Sequence, residues 1–220
     1  MPPSLIVFDL DGTLIDSAAD LAAAINAMLA DFGCEPLEVA QVRRMIGDGV
    51  AMLVARALAA RHCEQADPAR AAAIFMRHYE SDATSLTTAF PGVAEALQAL
   101  RAAGLPLAVC TNKPARITTG ILDELGLAGY FSRVIGGDSL PFRKPDPRVL
   151  LTLMATFAAA PESSLLVGDS EVDAATASAA GVPFVLMKHG YRRGPAEEIP
   201  CIAALESFAE LPPLVRALPH

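Results

Sequence analysis

Two carboxylates stand one residue apart near the start of the chain, in the segment Leu5-Ile6-Val7-Phe8-Asp9-Leu10-Asp11-Gly12-Thr13. The apolar run before Asp9 predicts a strand buried on both faces. Because side chains alternate along a strand, Asp9 and Asp11 leave the backbone on the same side. Two acids held together at the end of a buried strand are costly unless a cation or a shared proton relieves their repulsion. The pair therefore indicates nucleophilic, acid–base or metal-binding chemistry, and the alternative is a helix cap or an Asx-turn.

Other polar residues stand directly after predicted strands or in the loops that follow them: Thr111, Asn112, Lys144, Asp169 and Asp173. In an open α/β sheet, ligands bind outside the carboxyl ends of the strands, so these side chains are expected at one edge of the sheet. Each also has an ordinary interpretation. Thr111 with Asn112 is suited to a helix N-cap, Lys144 to a solvated loop, and Asp173 to a capping box with Ser170.

The elements that must position these residues alternate along most of the chain. Apolar runs predict strands at 105–110, 133–135, 164–167 and 183–187, and amphipathic patterns predict helices at 91–103, 115–125, 148–158, after Ser170 and after Ser207. Residues 16–88 show no convincing strand and four alanine-rich helical segments, 17–32, 37–46, 50–61 and 68–82. The prediction is an α/β fold, in which a doubly wound parallel sheet formed by 1–15 and 89–220 carries a helical domain inserted at 16–88.

Composition narrows the class of protein. The chain has 220 residues, 53% of them hydrophobic, and a net charge of −8, which favours a large core and argues against nucleic-acid or anionic-membrane binding. Without a leader or a long apolar segment, we expect a soluble intracellular protein, and the sequence leaves open whether it is a monomer or a homodimer. The cysteines show no paired spacing, so we expect no disulfide framework, no zinc site and a reducing cytoplasm: Cys34, Cys63, Cys110 and Cys201.

The four motifs of the haloacid-dehalogenase-like hydrolases have similar counterparts here, in the same order: Asp9-Leu10-Asp11-Gly12-Thr13, Thr111, Lys144-Pro145, and Gly168-Asp169 with Asp173. The helical insert is similar to the type C1 cap of that superfamily. Three further strings resemble its phosphoglycolate phosphatase branch: Ile46-Gly47-Asp48-Gly49, Thr111-Asn112-Lys113-Pro114 and Lys144-Pro145-Asp146-Pro147.

The resemblance implies a Mg²⁺-dependent phosphatase of carbohydrate metabolism that acts on a small phosphorylated metabolite, first of all 2-phosphoglycolate. It implies Asp9 as the nucleophile that becomes an aspartyl phosphate and Asp11 as the general acid and base. The resemblance also implies that Mg²⁺ binds Asp9, Asp169 and the backbone carbonyl of Asp11, and that Asp173 supports these ligands. The residues expected to bind the phosphoryl group are Gly12, Thr111, Asn112 and Lys144. Apart from the resemblance, Arg43 and Arg44 of the predicted cap are candidate partners for a substrate carboxylate, and the alternative for each is a solvated helix face.

Three alternatives stay open. Another phosphatase of the same superfamily would act on N-acetylmuramic acid 6-phosphate, another sugar phosphate or pyrophosphate. A β-phosphoglucomutase-like mutase would use the same pair of acids, and a non-catalytic binding protein could share the fold. A dehalogenase is disfavoured because that branch lacks the second acid, here Asp11.

Overall fold

The computed structural model describes residues 3–63 and 65–218. Its strands are β1 (Leu5–Phe8), β2 (Ile15–Asp16), β3 (Thr88–Ala89), β4 (Leu107–Cys110), β5 (Arg133–Ile135), β6 (Ser164–Gly168), β7 (Phe184–Met187) and β8 (Ala203–Leu205). Its α-helices are α1 (Ala18–Asp31), α2 (Val39–Arg43), α3 (Val50–Ala60), α4 (Pro68–Ser81), α5 (Val93–Ala102), α6 (Ala115–Glu124), α7 (Arg148–Phe157), α8 (Glu171–Ala180) and α9 (Leu211–Ala217). Short 3₁₀ helices occupy Ala128–Tyr130, Pro161–Ser163, Ala196–Glu198 and Phe208–Glu210. Of the helices in the described ranges, none combines the length and apolarity needed to cross a bilayer.

Six strands form one parallel sheet in the order β5-β4-β1-β6-β7-β8, which confirms the predicted α/β fold with a doubly wound sheet. Strand β1 lies between β4 and β6, so the order reverses around it. The residues of β1 alternate between two apolar layers: Ile6 and Phe8 pack into one, and Leu5 and Val7 into the other. Burial on both faces explains the uninterrupted apolar run in the sequence.

Helices α1 to α4 lie between two very short strands, β2 and β3. These strands pair antiparallel, with Ile15 opposite Ala89 and Asp16 opposite Thr88. The prediction that 16–88 holds no strand therefore misses one residue at each end. A pair of two-residue strands is too short to leave a periodic pattern in the sequence. Helix α1 packs against α2, α3 and α4, and the buried apolar residues of the inserted segment are continuous with one of the two apolar layers of the sheet.

Two helix starts show how tertiary contacts decide the use of a capping residue. The predicted box at Ser170 forms, because Ser170 accepts from the Asp173 backbone N–H and the Asp173 side chain bonds back. The similar pattern at Ser17 does not cap α1. Its hydroxyl instead donates to Asp11 at 2.5 Å, and the Asp20 carboxylate accepts from the Thr87 hydroxyl at 2.6 Å. Strand β8 (Ala203–Leu205) was not predicted, since its three residues give too short a pattern.

The expectation of no disulfide was wrong, because the structure joins Cys34 to Cys63. Their Cα atoms lie 6.7 Å apart, although 29 positions separate them in the chain. Cys34 follows the end of α1 and Cys63 follows the end of α3, and packing of these helices brings the two ends together. Such a contact between helix ends has no spacing signature in the sequence.

Reduction of this disulfide should lower the melting temperature. A closed loop of this length restricts the unfolded chain by about 3 kcal/mol, which corresponds to roughly 6–12 °C for a domain of this size. The measurement is thermal unfolding with and without dithiothreitol. The variant Cys201→Ser, which removes an exposed free cysteine, should show the same shift on reduction, whereas Cys34→Ser should show none. An unchanged melting temperature in the wild type would contradict the bridge.

Candidate active site

Neighbouring strands deliver the first two carboxylates to one edge of the sheet. Asp9 follows β1 and Asp169 follows β6, and Phe8 pairs with Val167 in register. The Asp9 backbone N–H donates to the Val167 carbonyl at 2.9 Å. This hydrogen bond aligns the carboxyl ends of β1 and β6. Asp9, Asp169 and Asp173 each place one carboxylate oxygen within 4.8 Å of the others, and all three are buried. The structure thus brings together three acids that lie up to 164 positions apart in the sequence.

Lys144 is the ammonium group beside this cluster. Its Nζ donates to Asp173 Oδ1 at 2.6 Å and lies 2.8 Å from Asp9 Oδ1. The side chain is almost fully buried, in the loop between β5 and α7. The second oxygen of Asp173 accepts from the Ser170 hydroxyl at 2.7 Å. Asp173 therefore already has partners on both oxygens, which agrees with a supporting role.

Asp169 is fixed by the segment that follows Asp11 and by the loop after β7. Thr13 Oγ1 donates to Asp169 Oδ1 at 2.7 Å, and the Tyr191 backbone N–H donates to Oδ2 at 2.5 Å. Gly12 has a φ of +85°, and a Cβ there would lie 2.5 Å from Asp169 Oδ2. Only glycine allows the backbone to approach the carboxylate this closely in that conformation.

The buried carboxylates carry more negative charge than Lys144 balances. Burial raises the pKa of Asp9 to about 7, although Lys144 opposes the shift. Burial also raises the pKa of Asp169 well above its usual range, and the neighbouring Asp173 and Asp9 add to the effect. Among the described residues, Asp9 Oδ1 has no aligned hydrogen-bond donor, despite its proximity to Lys144. A set of buried oxygen donors whose negative charge exceeds the single charge of Lys144 fits a metal ion, so this cluster could hold one.

Asp11 lies on the other side of Asp9, toward α4. Its Oδ1 accepts from Lys113 Nζ at 2.7 Å and from the Ser17 hydroxyl at 2.5 Å. Burial lowers the pKa of Lys113, but Asp11 and Tyr79 more than compensate and leave it above its ordinary value. Lys113 stands within the string Thr111-Asn112-Lys113-Pro114, and no role was predicted for it. Its position two residues after Thr111, close to the end of a strand, was the only signal.

Thr111 and Asn112 directly follow β4 and lie at the same edge of the sheet as Asp9. The Thr111 backbone N–H donates to the Ile135 carbonyl at 3.0 Å, which holds the strand end in the sheet. Asn112 Nδ2 donates to the Gly47 carbonyl at 2.9 Å and to the Lys144 carbonyl at 3.0 Å. One amide thus ties the loop before α3 and the Lys144 loop to the end of β4.

A cavity lies at this edge, and its empty space, including the part open to solvent, is about 480 Å³. The sheet side supplies its polar lining: Asp9, Asp11, Thr111, Asn112 and Lys113. The inserted helices supply a mostly apolar lining: Leu21, Ile46, Val50, Leu53, Phe75 and Tyr79. Gly47 and Gly49 also line the cavity, so the backbone of this glycine loop reaches it.

Arg43 and Arg44 do not line this cavity. Arg43 Nη2 donates to Asp16 Oδ2 at 2.9 Å, and its guanidinium carbon lies 4.9 Å from the centre of the Tyr191 ring. Arg44 is exposed, and both arginines line a separate groove beside β2. Helix α2 directs them toward that strand and away from Asp9. The Tyr191 hydroxyl, which donates to Asp16 and accepts from Ser17 N–H, was not foreseen.

A carboxylate cluster lies at the carboxyl edge of a parallel sheet, beneath the inserted helices, which is where ligands bind in open α/β enzymes. Residues 6–187 match the model of the haloacid dehalogenase-like hydrolase family. The chain belongs to this family, and its fold and motif order agree with that membership.

Several relatives of similar length are named phosphoglycolate phosphatases. A phosphoglycolate phosphatase of Cereibacter sphaeroides is 47% identical, over 97% of this chain and 98% of the relative. One from Rhodospirillum rubrum is 43% identical, over 95% and 89%. A crystal structure described as a predicted phosphoglycolate phosphatase from Haemophilus somnus superposes with a TM-score of 0.91 at 34% identity, covering 96% of this chain and 97% of that one.

Proposed function

We propose that this protein is a phosphoglycolate phosphatase, which hydrolyses 2-phosphoglycolate to glycolate and phosphate through an aspartyl-phosphate intermediate. The observation that carries the proposal is the placement of Asp9 in the floor of a cavity, beside Asp11 and in front of Asp169 and Lys144. The names of relatives that are 43–48% identical support the choice of substrate.

In this proposal Asp9 attacks phosphorus, the P–O bond to glycolate breaks, and the phosphoryl group is transferred to the Asp9 carboxylate. Asp11 gives its proton to the leaving alkoxide. In the second half, Asp11 accepts a proton from water as the water attacks the aspartyl phosphate, which releases phosphate and restores Asp9. Both side chains line the same cavity, as the two steps require.

The remaining groups would bind the phosphoryl oxygens. Thr111 contributes a hydroxyl, Lys144 a positive charge, and the segments at Gly12 and Asn112 backbone N–H groups. Thr111 and Asn112 line the cavity, and Lys144 lies behind Asp9. This arrangement supports stabilisation of the charge that develops on the transferred group.

Asp9, Asp169 and the backbone carbonyl of Asp11 would hold a Mg²⁺ ion, with Asp173 supporting Asp169. Hard oxygen donors suit Mg²⁺, and the excess negative charge at Asp9 and Asp169 supports the assignment. When bound, the ion supplies positive charge that offsets the repulsion between the Asp9 carboxylate and the phosphoryl oxygens.

We further propose that 16–88 acts as the cap and that 1–15 with 89–220 forms the core. The boundaries fall at the β2–β3 pair, and the apolar lining from α1, α3 and α4 would exclude water during the reaction. A cytoplasmic enzyme that acts on a small metabolite, and not on nucleic acid or a membrane, remains the expectation from the sequence. The Cys34–Cys63 disulfide weighs against that compartment, because disulfides are rare in the reducing cytoplasm.

Phosphate release from a panel of phosphorylated metabolites tests the proposal. We expect 2-phosphoglycolate to be hydrolysed with the highest kcat/KM, by about tenfold over N-acetylmuramic acid 6-phosphate, glucose phosphates and pyrophosphate, because a small cavity favours a small substrate. A chelator should abolish the activity and Mg²⁺ should restore it. Equal rates across the panel would contradict the substrate, and full activity in excess chelator would contradict the metal.

A further inference from the structure

The cavity contains one basic side chain among its described lining residues, Lys113. Lys113 Nζ lies 2.7 Å from Asp11 Oδ1 and 4.7 Å from the centre of the Tyr79 ring. An ammonium group has three N–H donors, and the bond to Asp11 uses one of them. Lys113 therefore retains donors that can bind a second anion at the boundary between the sheet edge and α4.

Tyr79 offers a second donor at the same place. Its side chain is 2% exposed and lines the cavity, and its hydroxyl lies beside the Lys113 ammonium without a well-aligned hydrogen-bond partner among the described residues. A buried hydroxyl without a partner is unfavourable, so its presence in an otherwise apolar wall needs a reason. An acceptor that enters the cavity with the substrate would provide the missing partner.

We propose that Lys113 and Tyr79 bind the carboxylate of the substrate and so select phosphate esters with an acidic leaving group. This inference rests on the proposed function and names the residues that recognise its substrate. The phosphoryl group occupies the Asp9 end of the cavity, and the carboxylate lies at the α4 end. The cap thus contributes a neutral hydroxyl, and the charge comes from the core residue Lys113.

The geometry favours these residues over the two cap arginines. Arg43 and Arg44 face the groove beside β2, and Arg43 already pairs with Asp16. The rest of the cap wall is apolar, so a free carboxylate placed against it without Lys113 would lose its hydration and gain little. Specificity for a charged substrate thus requires the ammonium group on the core side.

A pair of substrates isolates this contact: 2-phosphoglycolate, and 2-phosphoglycolamide, in which an uncharged amide of the same shape replaces the carboxylate. We expect Lys113→Met to lower the ratio of kcat/KM for the acid to kcat/KM for the amide by about tenfold to a hundredfold, the usual effect of a charge-assisted hydrogen bond. Tyr79→Phe removes only the hydroxyl and should lower the ratio by about fivefold, mainly through KM for the acid.

Stability and charge controls accompany these variants. Tyr79→Phe should melt close to the wild-type temperature, because the hydroxyl that it removes has no well-aligned hydrogen-bond partner among the described residues. Arg77→Met removes an exposed cation from the same helix and should leave the ratio unchanged. Lys113→Arg, which keeps the charge, should retain more of the preference for the acid than Lys113→Met.

The outcomes separate the two proposals. A wild type that prefers the acid, with both variants losing that preference, supports the assignment. A wild type that prefers the acid, with both variants keeping the ratio, leaves the proposed function in place and overturns the roles of Lys113 and Tyr79. A wild type that hydrolyses the amide as well as the acid overturns both the substrate and the recognition site.

Discussion

Asp9→Asn reduces phosphate release on the order of 10⁴-fold or more while the fold is retained. The amide is a poor nucleophile, and loss of the attacking group leaves only the binding contributions of the site. The measurement is phosphate release from 2-phosphoglycolate at saturating Mg²⁺, with circular dichroism to verify the fold. Asp146→Asn is the matched control, because Asp146 pairs with Arg148 at the start of α7 and should keep wild-type turnover.

The same variant has an expected effect on stability in the absence of metal. The pKa of Asp9 is about 7 in the folded protein, above its ordinary value of 3.8, so folding disfavours the ionised carboxyl. This group's contribution to stability is greatest below pH 4 and is lost as the pH rises through 7. The amide that replaces the carboxyl in the variant does not ionise. With chelator present, Asp9→Asn should therefore be at least as stable as the wild type at pH 8, and the difference should shrink toward pH 4.

Two results would contradict this account of Asp9. Unchanged turnover in Asp9→Asn would remove it from the mechanism. A metal-free variant that melts well below the wild type at pH 8 would show that the Asp9 carboxylate stabilises the fold, contrary to its burial beside two further acids.

Lys144→Met should have the largest effect on stability. Lys144 is 3% exposed and contacts Asp173 at 2.6 Å and Asp9 at 2.8 Å. Loss of a buried partner leaves carboxylates uncompensated, at a cost of about 3–5 kcal/mol, which corresponds to about 10 °C in melting temperature. Phosphate release should fall by at least about a thousandfold, since the variant also lacks a positive charge beside the phosphoryl site.

The matched control is Lys188→Met, which removes a lysine that pairs with Glu206 at the surface. A partly exposed ion pair contributes about 0–1 kcal/mol, so this variant should melt close to the wild type. Mg²⁺ should recover part of the stability of Lys144→Met, because a cation at Asp9 and Asp169 offsets the same repulsion. Equal melting temperatures for the two lysine variants would show that Lys144 does not hold the cluster together.

The proposed carboxylate site at Lys113 and Tyr79 combines residues from the sheet edge and from the inserted helices. The inserted segment lines the cavity with mostly apolar side chains, and the sheet edge lines it with Asp9, Asp11 and the ammonium of Lys113. Asn112 bound to the Gly47 carbonyl and the ion pair of Asp48 with Arg193 join the two parts. If Lys113 and Tyr79 bind the substrate as proposed, selection of the substrate would depend on residues from both parts.

The sequence was sufficient for the features that depend on local pattern. The apolar run before Asp9 predicted a strand buried on both faces, and the alternation after residue 90 predicted a parallel sheet, both of which the structure confirms. Because the carboxyl ends of parallel strands share one edge, the gathering of Asp9 and Asp169 followed from their positions directly after two predicted strands. The capping box at Ser170 is equally local, since all its atoms lie within one turn.

Tertiary structure decided everything that depends on the relative placement of distant segments. The side chains of Arg43 and Lys113 show this most clearly: both are cations near a motif, but α2 directs Arg43 to Asp16, while the end of β4 directs Lys113 to Asp11. The Cys34–Cys63 bridge and the Ser17–Asp11 hydrogen bond have the same origin in packing. A residue's type and spacing determine which contacts it can make, whereas the packing of helices against the sheet determines which partner lies within hydrogen-bonding distance.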